Sequence, residues 1–142
     1  MLEIFDSSCI LLAKAEQKHY QYTKRLLATQ GLEITPGQMS VLYTLYKRDG
    51  ISITDLSKNC YLDNSTLTGL IDRLERLELV FRKNVPEDRR LYYIFLSEKA
   101  HSIRDKVINV MTQVSETMLD GCSEEETKIF RHVLLNIFNK LG

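Results

Sequence analysis

Asp88 and Arg90 stand two residues apart in the stretch RKNVPEDRRLYYIFLS, residues 82–97. On an extended segment, side chains at i and i+2 leave on the same side. The carboxylate can therefore hold the guanidinium in one orientation through charge-assisted hydrogen bonds. A guanidinium fixed in this way at an exposed tip, with Arg89 beside it, suits a polyanion. In a narrow minor groove it reads groove width and negative potential more than base identity. Taken alone, the pair reads as a surface ion pair worth about 0 to 1 kcal/mol. The choice depends on what carries the tip.

A second set lies upstream, in NSTLTGLIDRLERLEL, residues 64–79. Leu67, Leu70, Ile71, Leu74 and Leu77 recur at helical spacing and make one apolar face. The other face shows Ser65, Thr66, Thr68, Gly69, Arg73 and Arg76. Hydroxyls near the start of a helix meet phosphates and base edges when that helix enters a groove. Arg73 is a candidate for a phosphate or a guanine, although Asp72 and Glu75 flank it and are expected to compete for it. Gly69 either permits close approach to DNA or is merely tolerated. The plain alternative is a solvated helix face.

The elements that must position these groups can be read from caps and periods. Residues 4–29 contain neither Pro nor Gly and predict one long helix, stopped by Gly31. Thr35, Pro36 and Gln38 form a capping box for a helix carrying Met39, Leu42, Leu45 and Tyr46, ended by Gly50. Ser52 followed by Asp55 caps a short helix, ITDLSKNC, and a brief YLD connection leads to residue 64. Two helices joined by a tight turn, the second with a small-polar and basic face, make the helix-turn-helix pattern. The period then changes: LVFRKNV and RLYYIFL predict two strands around a PEDR turn, a wing. Ser97 caps a helix with a seam from Ala100 through Ile103, Val107, Val110 and Val114 to Met118. Ser123 and Glu126 form a further capping box, before Phe130, Val133, Leu134, Ile137, Phe138 and Leu141. The fold class is mainly α with a small β-hairpin wing, in a single domain of 142 residues.

Composition sets limits. The formal net charge of +0 counts against a nucleic-acid partner, although a basic tip on a neutral body still presents a local field. No apolar run approaches a membrane span, and no secretory signal is visible. Cys9, Cys60 and Cys122 are odd in number and form no CxxC pair, the pattern of reduced thiols in a cytoplasmic protein. His19, His101 and His132 lie far apart, so neither a metal site nor another cofactor is expected. Paired carboxylates, a nucleophile with its base and a phosphate loop are all missing from the sequence, so an enzyme is not expected.

The chain resembles the MarR family of winged-helix regulators over essentially its whole length. Two strings carry the resemblance. One is D-x-R, then five residues, then L-[ST]: Asp88, Arg90, Leu96 and Ser97 in DRRLYYIFLS. The other is DNSTLTGLIDRLERLELV, which looks like the family's recognition helix and the start of its wing. The resemblance implies a homodimer built from terminal helices (1–30 and 98–142) around a winged helix-turn-helix DNA-binding lobe (31–97). Such a dimer would bind a roughly palindromic operator in double-stranded DNA. Two-fold symmetry also accounts for the apolar seams, which are too long for their own hairpin to bury, and doubles the few basic contacts. Arg90 is implied as the minor-groove contact, with Asp88 as its support.

The resemblance further implies a small aromatic or phenolic effector held between the dimer helices and the DNA-binding lobe, relieving repression. His19, Tyr20, Tyr22, Tyr43 and Tyr46 are the candidate lining, each equally readable as a partly buried core aromatic. Cys9 is the candidate for a peroxide-sensing alternative, as in the family's organic-hydroperoxide branch. It has no evident cation beside it to stabilise a thiolate. Cys60 and Cys122 are expected to be structural. A winged helix used for protein contact without DNA binding is the other alternative, prompted by the neutral net charge.

Overall fold

The computed structural model describes residues 2–142, and for residues 2–6 and Arg89 the backbone alone. The elements run α1 (Leu2–Thr29), α2 (Pro36–Lys47), β1 (Ile51–Ser52), α3 (Ile53–Cys60), α4 (Asn64–Arg76), β2 (Val80–Val85), β3 (Asp88–Leu96), α5 (Glu98–Ser102), α6 (Arg104–Met118) and α7 (Glu124–Leu141). The winged helix-turn-helix is α2 to β3, flanked by helices on both sides.

Local chemistry sets most of the boundaries. α1 ends in a Schellman-type closure, with the Leu32 N–H donating to the Leu27 carbonyl at 3.0 Å and Gly31 at φ 70. Thr35 and Gln38 make both halves of the capping box of α2. That helix closes at Lys47, earlier than the expected stop at Gly50. Gly50 instead turns the chain into β1 at φ +68, where a Cβ would stand 2.6 Å from the Phe95 ring. The Asp49 carboxylate fixes this corner, accepting from the N–H of Gly50 (2.9 Å) and of Leu96 (2.8 Å).

The wing gains a strand that the sequence reading lacked. β1 pairs with β3 through Ile51↔Ile94 and Ser52↔Tyr93, giving an antiparallel sheet of order β1-β3-β2. Ser52 ends this strand and also caps α3, accepting from the Asp55 N–H. Two residues are too short to leave an alternating pattern. The hairpin turn is Pro86–Glu87 alone, and Asp88, expected in the turn, pairs with Val85. Across the next step Asn84 pairs with Tyr92, so residues 89–91 bulge out of the ladder. Such a bulge re-aims side chains at the wing tip.

Two helix ends differ from expectation. α4 stops at Arg76 because Glu78 takes a left-handed φ of 61, with the Leu79 N–H donating to the Leu74 carbonyl at 2.9 Å. The expected helix from 98 to 118 is two, broken at Ile103 (φ −101, ψ 3). At the break the Ser102 hydroxyl donates to the Lys99 carbonyl at 2.6 Å, the kind of side-chain competition that interrupts helices.

The core gathers Leu27, Leu42, Leu45, Leu56, Leu67, Ile71, Leu74, Ile94 and Val107, all 0% exposed. α6 is satisfied inside the chain: Val107, Val110 and Val114 are buried, and only at Met118 does its seam emerge. α7 is not. None of its residues is buried, and Phe130, Val133, Leu134, Phe138 and Leu141 all stand exposed. On α1, Ile10, Leu11 and Leu12 are likewise exposed. No helix among the described residues is long and apolar enough to cross a membrane.

Candidate nucleic-acid interface

The start of α4 is organised by Asp63. Its carboxylate caps the helix, accepting from the Thr66 N–H at 2.7 Å and from the Ser65 hydroxyl at 2.9 Å. These bonds, the Thr66 N–H first among them, hold the carboxyl below the usual aspartate range. Ser65, Thr66 and Thr68 are all exposed. The Thr68 hydroxyl donates to the Asn64 carbonyl at 2.7 Å, which leaves its lone pairs facing outward as acceptors. Gly69, one position on, has no atom within 4 Å of where a Cβ would sit. The chain's own packing does not require a glycine there.

Asp72 and Glu75 do not compete for Arg73, contrary to the sequence reading. Both are taken by Arg82 of β2, whose guanidinium donates to Asp72 Oδ1 at 2.8 Å and to Glu75 Oε1. Arg73 is exposed and, among the described residues, in no ion pair. Sequence reasoning missed Arg82, although a signal existed. Alternation along β2 puts it on the face of Val80, which is buried, and an inward guanidinium needs partners. What the sequence could not supply was which helix lay opposite.

At the wing tip, Asp88 accepts three bonds from Arg90. They come from the backbone N–H (3.0 Å), from Nε to Oδ1 (3.2 Å) and from Nη2 to Oδ2 (3.3 Å). Hydrogen bonding by the guanidinium, then by the N–H, holds the Asp88 carboxyl below its ordinary range. The Arg90 side chain is 90% exposed even so. A largely exposed cation is thus pre-aimed without being buried. The side chain of Arg89 lies outside the described residues.

The five candidate effector residues are not brought together. His19 and Tyr22 line a cavity of about 540 Å³ between α1, α6 and α7, with Val114, Met118 and Phe130 apolar and Lys18 and Arg25 cationic. The Tyr22 hydroxyl pairs with the Thr117 hydroxyl at 3.1 Å across it. Tyr43 belongs to a separate depression with Ile108 and Met111, and Tyr20 is exposed on α1. Tyr46 is structural: its hydroxyl donates to the Ala100 carbonyl at 2.5 Å, and burial pushes its pKa up to about 12 against the opposing charge of Arg104. Tyr20 and Tyr22 point to different faces of α1, Tyr43 and Tyr46 sit on α2, and which neighbours each meets is decided by packing alone.

Cys9 is exposed. Cys60 donates to Thr44 Oγ1 at 3.4 Å, and burial raises its thiol pKa. Cys122, expected to be structural, is exposed after α6. Among the described residues no group of three His, Cys, Asp or Glu is placed to hold a metal ion.

Comparison with known proteins accords with this geometry. The sequence model of the MarR family matches residues 34–92, from the approach to α2 to the wing. The HTH-type transcriptional regulator YsmB of Bacillus subtilis (strain 168) is 31% identical over 131 residues, 88% of this chain and 90% of that protein. The chain belongs to the MarR family of transcriptional regulators. Two solved structures share the MarR-type fold at lower identity. Reduced AbfR bound to DNA superposes with a TM-score of 0.80 at 20% identity, covering 99% of this chain and 96% of AbfR. BpsR of Bordetella bronchiseptica, whose DNA binding is regulated by 6-hydroxynicotinic acid, gives 0.78 at 22%, covering 92% and 98%. In this member of the MarR family, α2 to β3 is the winged helix-turn-helix.

Proposed function

We propose that this MarR-family regulator works as a homodimer on a palindromic operator and represses until an effector displaces it. The observation that carries the reading is α7, an amphipathic helix of 18 residues with none buried. Its apolar seam is unsatisfied within the chain, and a two-fold partner presenting the same seam satisfies both. Exposed Ile10, Leu11 and Leu12 of α1 are further apolar side chains that such a partner would cover. Residues 1–30 and 98–142 then serve dimerisation, and 31–97 carry DNA contact.

In this reading, α4 enters the major groove with Ser65, Thr66 and Thr68 toward phosphates and base edges. Gly69 allows close approach, and Arg73, released by Arg82, takes a phosphate or a guanine. Arg90, aimed by Asp88, enters the flanking minor groove, with Arg89 adding charge. Two copies compensate for a net charge of +0. A protein that acts on DNA in this way works in the cytoplasm.

The effector is best sought in the cavity that holds His19 and Tyr22. Its apolar floor and its Lys18 and Arg25 rim suit an aromatic anion, the chemical type that regulates BpsR. A ligand there would press on α1, α6 and α7, the helices that set the spacing of the two lobes.

The experiment combines sedimentation equilibrium with selection of bound fragments from a random duplex library. The expected result is twice the 16.5 kDa chain mass and an enriched inverted repeat, with Leu134→Glu yielding a folded monomer that enriches nothing. A wild-type monomer, or fragments with no symmetric element, would overturn the reading.

A further inference from the structure

Tyr61 opens the turn between α3 and α4 in the left-handed region, at φ 56 and ψ 37. That conformation is usually filled by Gly or Asn, because a Cβ is disfavoured there. The turn itself is closed by other groups: the Leu62 N–H donates to the Ser57 carbonyl at 3.1 Å, and the Ser57 hydroxyl donates to the Leu62 carbonyl at 2.6 Å. The Tyr61 ring is not needed to close the turn. It is 51% exposed and does not fill the core.

What the ring does touch is α7. Tyr61 and Phe138 meet edge to face, with centroids 5.4 Å apart and planes at 80°, an aromatic geometry favoured by the ring quadrupoles. Phe138 belongs to the apolar seam of Phe130 and Leu134, which stays exposed among the described residues. On the other side, Asp63, the cap of α4, lies two residues after Tyr61. One aromatic contact therefore joins the seam to the α3–α4 turn, two residues before the cap of α4.

We propose that Tyr61 is a positioning residue that makes the placement of α4 follow the placement of α7, and so sets the half-site spacing the dimer accepts. The inference rests on the homodimer reading. With the contact intact, each α4 is referenced to the two-fold axis through Phe138. Without it, each DNA-binding lobe still folds and still reads its half-site, but the separation of the two is less tightly held.

The test uses operator fragments selected with the wild-type protein, and variants of them with one base pair added or removed at the centre. Each such change moves the half-sites by about 3.4 Å. Tyr61→Gly removes the ring and also relieves the left-handed backbone, which offsets the loss of the aromatic contact. Tyr61→Phe keeps the ring. The expected result is that Tyr61→Gly remains a dimer, binds an isolated half-site like wild type, and loses about tenfold on the natural spacing. Its preference among the three spacings flattens, while Tyr61→Phe keeps the wild-type profile. A Tyr61→Gly protein with the wild-type spacing profile would overturn the inference while leaving the homodimer reading intact. A Tyr61→Gly protein that dissociates into monomers would overturn it too, since the ring would then be part of the dimer surface. A wild-type protein that enriches no DNA would bring down both.

Discussion

Arg82 of β2 holds Asp72 of α4 at 2.8 Å and reaches Glu75 one turn further along the same helix. The contact fixes the wing against the helix beside it, and it engages two carboxylates and offsets one of their two charges on the helix proposed to approach phosphates. Arg73 is left out of these pairs. Local spacing on a helix favours i, i+3 and i, i+4 ion pairs, but the strand cation is the one that pairs, supported by two carboxylates at once.

Arg82→Gln should therefore cost about 1 kcal/mol in urea unfolding, between the values for exposed and buried pairs, because the guanidinium is 25% exposed. Operator affinity should fall about tenfold, as two unpaired carboxylates now face the phosphates. Adding Asp72→Asn and Glu75→Gln should restore much of the affinity and none of the stability. Wild-type affinity in Arg82→Gln alone would contradict this account of the clamp.

The cap of α4 predicts an acid response. Asp63 has a carboxyl depressed by its bonds to Thr66 and Ser65. A depressed carboxyl binds fewer protons in the folded chain than in the unfolded one, so acid favours unfolding. The contribution is full above the ordinary aspartate value, about pH 4, and is lost as pH falls through the lower folded value. Asp63→Asn keeps a good cap without the titration. Thermal melts between pH 2 and 7 should show the wild type losing ground to Asp63→Asn only below about pH 4. A crossover near neutrality would contradict this.

Gly69 separates fold from function. Since a Cβ there meets nothing within 4 Å, Gly69→Ala should stabilise the chain by about 0.5–1 kcal/mol through helix propensity. If the position approaches DNA, operator affinity falls while the melting temperature rises. Calorimetry and a binding titration on one preparation read both. Unchanged affinity would remove Gly69 from the interface.

How far these features were legible in the sequence follows from their range along the chain. The boxes at Thr35–Gln38 and Ser123–Glu126 were legible because their chemistry closes within three residues. The Asp88–Arg90 pair was legible for the same reason, and the family strings added the wing. The left-handed Glu78 was not, since a helix usually stops there at glycine and tertiary bonds overrode that preference. Lys99 Nζ to the Leu77 carbonyl and Ser97 Oγ to the Glu78 carbonyl, each at 2.7 Å, come from 19 or more residues away. β1, the Arg82 clamp and the dispersal of the tyrosines share that origin. Each depends on which elements face one another, and periodicity along one element does not record its neighbour.

The central claim is that a guanidinium aimed by Asp88, presented twice by a two-fold dimer, enters DNA beside α4. Salt-dependent binding of Arg90→Ala to a selected operator tests it most directly. The account predicts an intact dimer with unchanged melting, an affinity about 100-fold lower, and a log–log salt slope reduced by about 2, one cation per wing. An Arg90→Ala dimer with wild-type affinity and wild-type salt slope would contradict it.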